Sequence, residues 1–169
     1  MSPLGSGRDA GRVFQLNRKS EVPGERGLPK RPVPEARFTA AGVEGDFNVY
    51  RHEVSHDDPA MAILIVPLET LQQLGREGWP VRPGDLGENV TSAEIPYDAI
   101  GPGDVFRIGG AVVEISKPCT PCDNLFQLPY VGERRGPEFL RVMLDRRGWY
   151  ARVLEEGVVR VRDPIERRR

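Results

Sequence analysis

The sequence predicts a mainly β domain, a barrel or sandwich of about eight short strands with two or three short helices. Three observations carry that expectation. Nineteen glycines and 16 prolines are spread without a period, so they punctuate many short elements. Apolar runs of strand length recur along the chain, alternating or continuous. Helical spacing is confined to a few segments, and no glycine-rich phosphate loop stands between a strand and a helix.

The elements follow in order. Arg12–Leu16 alternates and reads as a first strand. Asn17–Pro34 is polar, with prolines at 23, 29, 32 and 34, and reads as a long loop of the kind that often carries function. Arg37–Ala41 reads as a strand and Gly42–Asp46 as a turn. Met61–Val66 is apolar throughout and β-branched enough for a buried strand. Pro67–Glu77 has leucines at 68, 71 and 74 behind a proline suited to a helix start. Pro83–Asn89 is a glycine turn leading into Val90-Thr91. Val105–Ile108 and Ala111–Lys117 flank Gly109-Gly110 as a hairpin. Gly136–Leu144 reads as a second helix, and Trp149–Leu154 with Val158–Val161 as a further hairpin across Glu155–Gly157.

A chain of 169 residues fits one domain, expected over 11–165, with a flexible Gly/Ser/Pro-rich tail at 1–10 and a charged tail at 166–169. Arg162–Arg169 has no evident apolar partner. Lys plus Arg number 24 and Asp plus Glu 25, so the net charge of -1 argues against generic nucleic-acid binding. Basic residues nevertheless crowd the first forty positions, a local patch suited to an anionic ligand. No apolar run approaches the roughly 18 residues needed to cross a bilayer, and the N-terminus lacks an apolar signal core. The expected location is the cytoplasm. Thiols stay reduced there, so the two cysteines point to chemistry or metal binding more than to a bridge.

Pro118-Cys119-Thr120-Pro121-Cys122-Asp123 is the most informative stretch. Its prolines restrict the backbone, and Asp123 is suited to cap a short helix, which would favour a thiolate nearby. Four readings stand open. The cysteines are small buried hydrophobes, a redox dithiol outside a thioredoxin context, or half of a zinc site with His52 and His56. In the fourth, one cysteine serves another cofactor and the other is its neighbour. His52 and His56 lie in a polar loop, Arg51–Pro59, as solvent-exposed residues or as proton donors near a substrate. Glu88-Asn89 follows Gly84 and Gly87, either a plain turn or a place where backbone and side chains meet a ligand. In Arg147–Leu154, Tyr150 and Arg152 share one strand face, and Arg152 suits a phosphate or carboxylate.

In this order, the pieces resemble the MOSC domain (molybdenum-cofactor sulfurase, C-terminal) in its short, stand-alone bacterial form. Four segments carry the resemblance: Gly42–Asp46, Pro83–Val90 with its Gly-Glu-Asn, Gly103-Asp104 on to Pro118–Cys122, and Arg147–Val153. The resemblance spans about residues 12–164. It implies a distorted MOSC-type β-barrel with two or three short helices. It also implies molybdopterin as cofactor and a reactive cysteine, Cys122, that carries sulfur or ligates molybdenum. Lys30 resembles a basic residue that meets the pterin phosphate; Glu88, Asn89 and Arg152 are the other expected cofactor contacts. Sulfurase relatives join this domain to a pyridoxal-phosphate cysteine desulfurase, for which this chain has no room. Amidoxime-reducing relatives reduce N-hydroxylated compounds, and short bacterial members are associated with detoxifying N-hydroxylated purines.

The implied function is therefore a molybdenum-dependent oxidoreductase for N-hydroxylated small molecules, served by an external electron donor because no flavin or iron–sulfur motif is visible. The alternative is a sulfur carrier or transferase, with a Cys122 persulfide taken from a cysteine desulfurase for metal–sulfur cluster assembly. A third reading is a non-enzymatic cofactor- or protein-binding module. No nucleic-acid or membrane partner is expected. Two departures from the family pattern stand out: a second thiol at Cys119, and Phe47–Pro59 in place of the usual His-Gly-rich segment. The latter is expected to border the pocket.

Overall fold

Ile63–Pro67 is apolar at every position because both of its faces are covered. Ile63 and Ile65 point into the interior of a closed sheet, while Leu64 and Val66 point the other way, beneath a second layer. The computed structural model describes residues 8–169. Its strands are β1 (Ala10–Arg18), β2 (Arg31–Val33), β3 (Glu35–Thr39), β4 (Gly42–Val43), β5 (Ile63–Pro67), β6 (Val90–Ala93), β7 (Val105–Ile108), β8 (Ala111–Pro118), β9 (Trp149–Glu155), β10 (Gly157–Arg160) and β11 (Pro164–Arg168). Its α-helices are α1 (Val49–Glu53), α2 (Leu68–Arg76) and α3 (Gly132–Val142).

The principal sheet runs β11-β7-β8-β9-β5-β6-β1-β2, and an added β11–β1 pairing closes it into a barrel with β2 hanging from the end of β1. Only β5 and β6 pair in parallel. Closure leaves the barrel strands without a free edge. The interior is filled by Phe38, Phe106, Ile108, Ile115 and Ile165 with their neighbours. Each such side chain contributes roughly 1.5–3 kcal/mol through burial. A bulge between Val13 and Gln15 in β1 turns Phe14 out to solvent. The expected mainly β barrel with two or three short helices is what the chain adopts, with eleven strands among the described residues where about eight were expected.

The second layer is built by α2, α3 and the turns around them. Leu71 and Leu74 of α2 meet Trp79, Phe139 and Met143, with the Trp79 and Phe139 rings 4.8 Å apart. The helix expected over Gly136–Leu144 spans Gly132–Val142, with Pro137 inside it. Three other expectations are corrected. The long loop 17–34 is shorter, because β1 continues to Arg18 and β2 occupies Arg31–Val33. The strands either side of Glu155–Gly157 are not a hairpin: β9 pairs with β5 and β8, whereas β10 pairs with β3 in a separate β10-β3-β4 sheet. Gly157 permits this close crossing, since a Cβ there would lie 2.1 Å from the Gly110 carbonyl oxygen.

The third correction concerns the C-terminus. Pro164–Arg168 is no free charged tail but the strand that closes the barrel, with Ile165 buried against the core. Glu166 and Arg168 face solvent, whereas Arg167 shares the Ile165 side, half-buried over the Phe106 ring and paired with Asp9 and Asp104. The sequence missed it because alternation with arginine reads as charge, not as a half-buried strand. At the other end, residues 1–7 of the expected 1–10 tail lie outside the described residues, and Ala10 opens β1. Among the described residues no helix is long and apolar enough to cross a membrane. Deletion of residues 164–169 is expected to remove the cooperative thermal transition, because it opens the barrel on both sides; circular dichroism melting measures this.

Candidate functional site

At one end of the barrel the start of β5, the end of β8, the start of β9 and the turn before β6 converge on a cavity of about 270 Å³. Its floor is a small apolar cluster, Met61, Leu64, Cys119 and Tyr150. One wall is the cysteine loop after β8. Another is the loop before β2, through Arg26 and Lys30, and a third is the α1 segment, through Phe47, Asn48 and Tyr50. The segment Phe47–Pro59 thus does border the pocket.

Both cysteines are free and both line the cavity. Cys119 is buried in the floor, and its backbone N–H donates to the Gly148 carbonyl at 2.8 Å. Cys122 is partly exposed. It occupies the position expected of Asp123, standing immediately before a single 3-10 turn, Asp123–Gln127, without a side-chain capping bond. The charged residues lining the cavity are Arg26, Lys30, Lys117 and Arg147, with no carboxylate among them. Three are partnered. Lys30 Nζ meets Asp46 Oδ2 at 2.5 Å, Lys117 reaches Asp58 at 3.6 Å, and Arg26 Nε donates to Asn124 at 3.0 Å. Arg147 differs: it is 5% exposed, and its Nε and Nη1 have no hydrogen-bond partner.

Behind this wall lies a buried polar layer. Asn89 Oδ1 accepts the Leu64 N–H at 3.0 Å and its Nδ2 donates to Asp46 at 2.9 Å, so it joins β5 to the carboxylate that holds Lys30. Glu88 is fully buried; Thr91 donates to its Oε2 at 2.9 Å and its Oε1 is unpaired. Desolvation pushes the Glu88 carboxyl up to about 7, against the pull of nearby backbone amides, Thr91 and the Arg147 charge. Burial likewise pushes the Tyr150 hydroxyl above its usual range, with neighbouring Cys119 adding to the effect, so Tyr150 keeps its proton at neutral pH.

Of the residues singled out from the sequence, Cys122 and Lys30 share the cavity. Glu88 and Asn89 sit behind its wall and do not line it. Arg152 does not line it either; its Nε pairs with Glu114 at 3.3 Å on the exposed side of β9. His52 turns to Asp57 at 3.3 Å and to the Phe47 ring, and neither histidine lines the cavity. Among the described residues no group of three or more His, Cys, Asp or Glu is disposed around a metal ion, so the zinc alternative fails. Arg147 and Tyr150 were missed as lining residues. Both stood in a quoted segment, but only packing distinguishes them from Arg152.

One end of a closed β-barrel thus presents a free, partly exposed thiol among cationic side chains. The chain matches the MOSC domain family over residues 52–166 and belongs to it. It is 35% identical over 141 residues to the protein YflK of Bacillus subtilis strain 168, covering 80% of this chain and 60% of YflK. It is 28% identical over 138 residues to the protein YiiM of Escherichia coli K12, covering 78% of this chain and 58% of YiiM. The chain thus spans about 60% of the length of these relatives. The crystal structure of YuaD from Bacillus subtilis has the same fold, with a TM-score of 0.79 at 19% identity, covering 94% of this chain and 95% of that one.

The buried layer makes two expectations measurable. Asn89→Ala leaves the Leu64 N–H unpaired and is expected to cost about 1–3 kcal/mol in denaturant unfolding. For Glu88 the folded-state value of about 7 lies above the ordinary 4.5, so its contribution is full below about pH 4.5 and is lost as pH rises through 7. Glu88→Gln removes that dependence. Relative to the native chain, the variant is expected to gain on the order of 3 kcal/mol between pH 4.5 and 7, read from unfolding at several pH values.

Proposed function

We propose that this MOSC protein is a molybdenum-cofactor-dependent oxidoreductase that reduces N-hydroxylated small molecules, with the Cys122 sulfur as the protein's ligand to molybdenum. The observation that carries the reading is the position of Cys122: a partly exposed thiol opening into a cavity whose charged lining is entirely cationic. The residues present fit such a group. A pterin cofactor brings its own sulfur ligands and a phosphate, so the chain need supply only one soft donor and a basic surround. Cys122 is that donor, and Lys30 and Lys117 line the same cavity.

When bound, the cofactor supplies the two electrons of the reduction, which an external donor restores. The N–O bond breaks, two protons are taken up, and the products are the N–H compound and water. The chain's own part is to bind, orient and hold protons. Tyr150 keeps a proton in the floor, and the apolar Met61 and Leu64 beside it limit water there. Cys122→Ala is expected to lose bound molybdenum, measured by mass spectrometry on freshly purified protein, and to lose N-reduction with it. Unchanged metal content and turnover would remove the ligand role.

A second reading rests on the same partly exposed Cys122 thiol. In a sulfur carrier, the Cys122 thiolate takes the outer sulfur of a desulfurase persulfide and releases the desulfurase thiolate; an external dithiol then supplies two electrons, frees the Cys122 thiol and delivers the sulfur as sulfide to a metal–sulfur cluster. It predicts a one-sulfur mass gain on the intact protein, removed by a thiol reductant, and no bound pterin.

A further inference from the structure

Arg147 stands apart from the other cations of the cavity. Its guanidinium is nineteen-twentieths buried, yet two of its nitrogens have no partner. A guanidinium so removed from water is unfavourable unless paired, and its N–H groups are arranged to grip the oxygens of a carboxylate or phosphate. The neighbouring carboxyl does not supply that partner. Glu88 makes no ion pair with Arg147, and its own Oε1 is unpaired, so the two groups lie near one another without neutralising. No carboxylate lines the cavity, and Lys30 and Lys117 already have Asp46 and Asp58. The surroundings include the apolar floor around Tyr150, where an ion pair is strengthened by the low dielectric.

We propose that Arg147 is the anchor of an oxyanion site, and that the oxyanion is a carboxylate or phosphate borne by the substrate. The assignment deepens the enzymatic reading above and rests on it for the identity of the substrate. It narrows N-hydroxylated compounds to those carrying an anionic group, held at Arg147 while the N-hydroxyl group faces the Cys122 side of the cavity. The position also gives Arg147 a discriminating role that no exposed arginine of β9 shares.

The first measurement concerns binding alone. The cofactor-free chain is titrated calorimetrically with inorganic phosphate and with acetate at constant ionic strength. Saturable binding is expected in the native chain. In Arg147→Gln it is expected to weaken by roughly 10–100-fold, the scale of a hydrogen bond to a charged group. Arg152→Gln, outside the cavity, removes the same charge and is expected to bind as the native chain does. Undiminished binding in Arg147→Gln overturns the site. Arg147→Lys keeps the charge without the fork and is expected to fall between; it decides the matter if the Gln variant fails to fold by circular dichroism.

The second measurement identifies the source of the anion. Two N-hydroxylated amidines, matched except for one carboxylate, are compared in affinity for the native chain and for Arg147→Gln. A preference for the carboxylated compound that the substitution abolishes supports the substrate as source. A substitution that instead strips pterin from the holoprotein and leaves the preference intact transfers the anion to the cofactor and overturns the substrate assignment. Because both measurements read binding, absence of turnover in the native chain would count against the enzymatic reading without touching the Arg147 site.

Discussion

The Gly148 peptide group fixes the reactive end of the barrel. Its carbonyl accepts the Cys119 N–H at 2.8 Å and the Tyr97 hydroxyl at 3.2 Å, while its own N–H donates to the Tyr97 oxygen at 3.1 Å. At φ +117°, with the Ile65 carbonyl 2.8 Å from where a Cβ would stand, the position requires glycine. The preceding residue is Arg147 and the loop held by its carbonyl runs to Cys122. The Gly148 backbone therefore ties the start of the cysteine loop to the residue next to Arg147. Each hydrogen bond contributes only about 1 kcal/mol. Their joint effect is geometric: Tyr97 is itself held against Trp149, with ring centroids 5.4 Å apart, so the junction has little freedom to shift.

The electrostatics of the site follow from a separation of signs across its wall. Cations line the cavity, and the carboxylates that answer them stand behind or beside it. Lys30 and Arg147 illustrate the consequence. Lys30 is buried but satisfied by Asp46, which Asn89 holds in turn. Arg147 is equally buried and unsatisfied, beside a carboxyl that burial inclines to remain protonated. Among the cations lining the cavity, Arg147 is therefore the one whose donors stay unmet.

This contrast also marks how far the sequence could be read. Element types were legible from periodicity. The β7–β8 hairpin, the apolar run of β5 and the Leu71–Leu74 face of α2 all follow from patterns within a dozen residues. The cysteine loop was legible too, since two prolines and two thiols in six residues have few ordinary uses. What failed was non-local. The β9–β10 hairpin was inferred from adjacency, whereas β10 pairs with β3 more than a hundred residues earlier. The placing of Arg152 outside the cavity and Arg147 in its lining is non-local in the same way. Both are arginines of one short segment, and only tertiary packing pairs one with Glu114 and leaves the other buried without a partner.

The remaining walls have a different physical character. Residues on barrel strands and their tight ends, such as Leu64, Cys119 and Tyr150, are fixed by ladder hydrogen bonds and a packed core. The α1 segment is held by the Phe47 N–H on the Lys19 carbonyl, the Asn48 cap and a clamp at Arg51. Arg51 is buried and donates to the carbonyls of Ala41, Asp57 and Asp58, which lets His56 and Asp57 adopt consecutive left-handed conformations at φ 50° and 57°. Non-glycine residues resist that geometry by roughly 1–2 kcal/mol each, so the clamp offsets a local strain. Phe47, Asn48 and Tyr50 project from this segment into the cavity wall. The cavity wall thus has two kinds of support. Substitutions within 47–59 can reshape what enters the cavity while the Gly148 junction keeps Cys122 and Arg147 where they are.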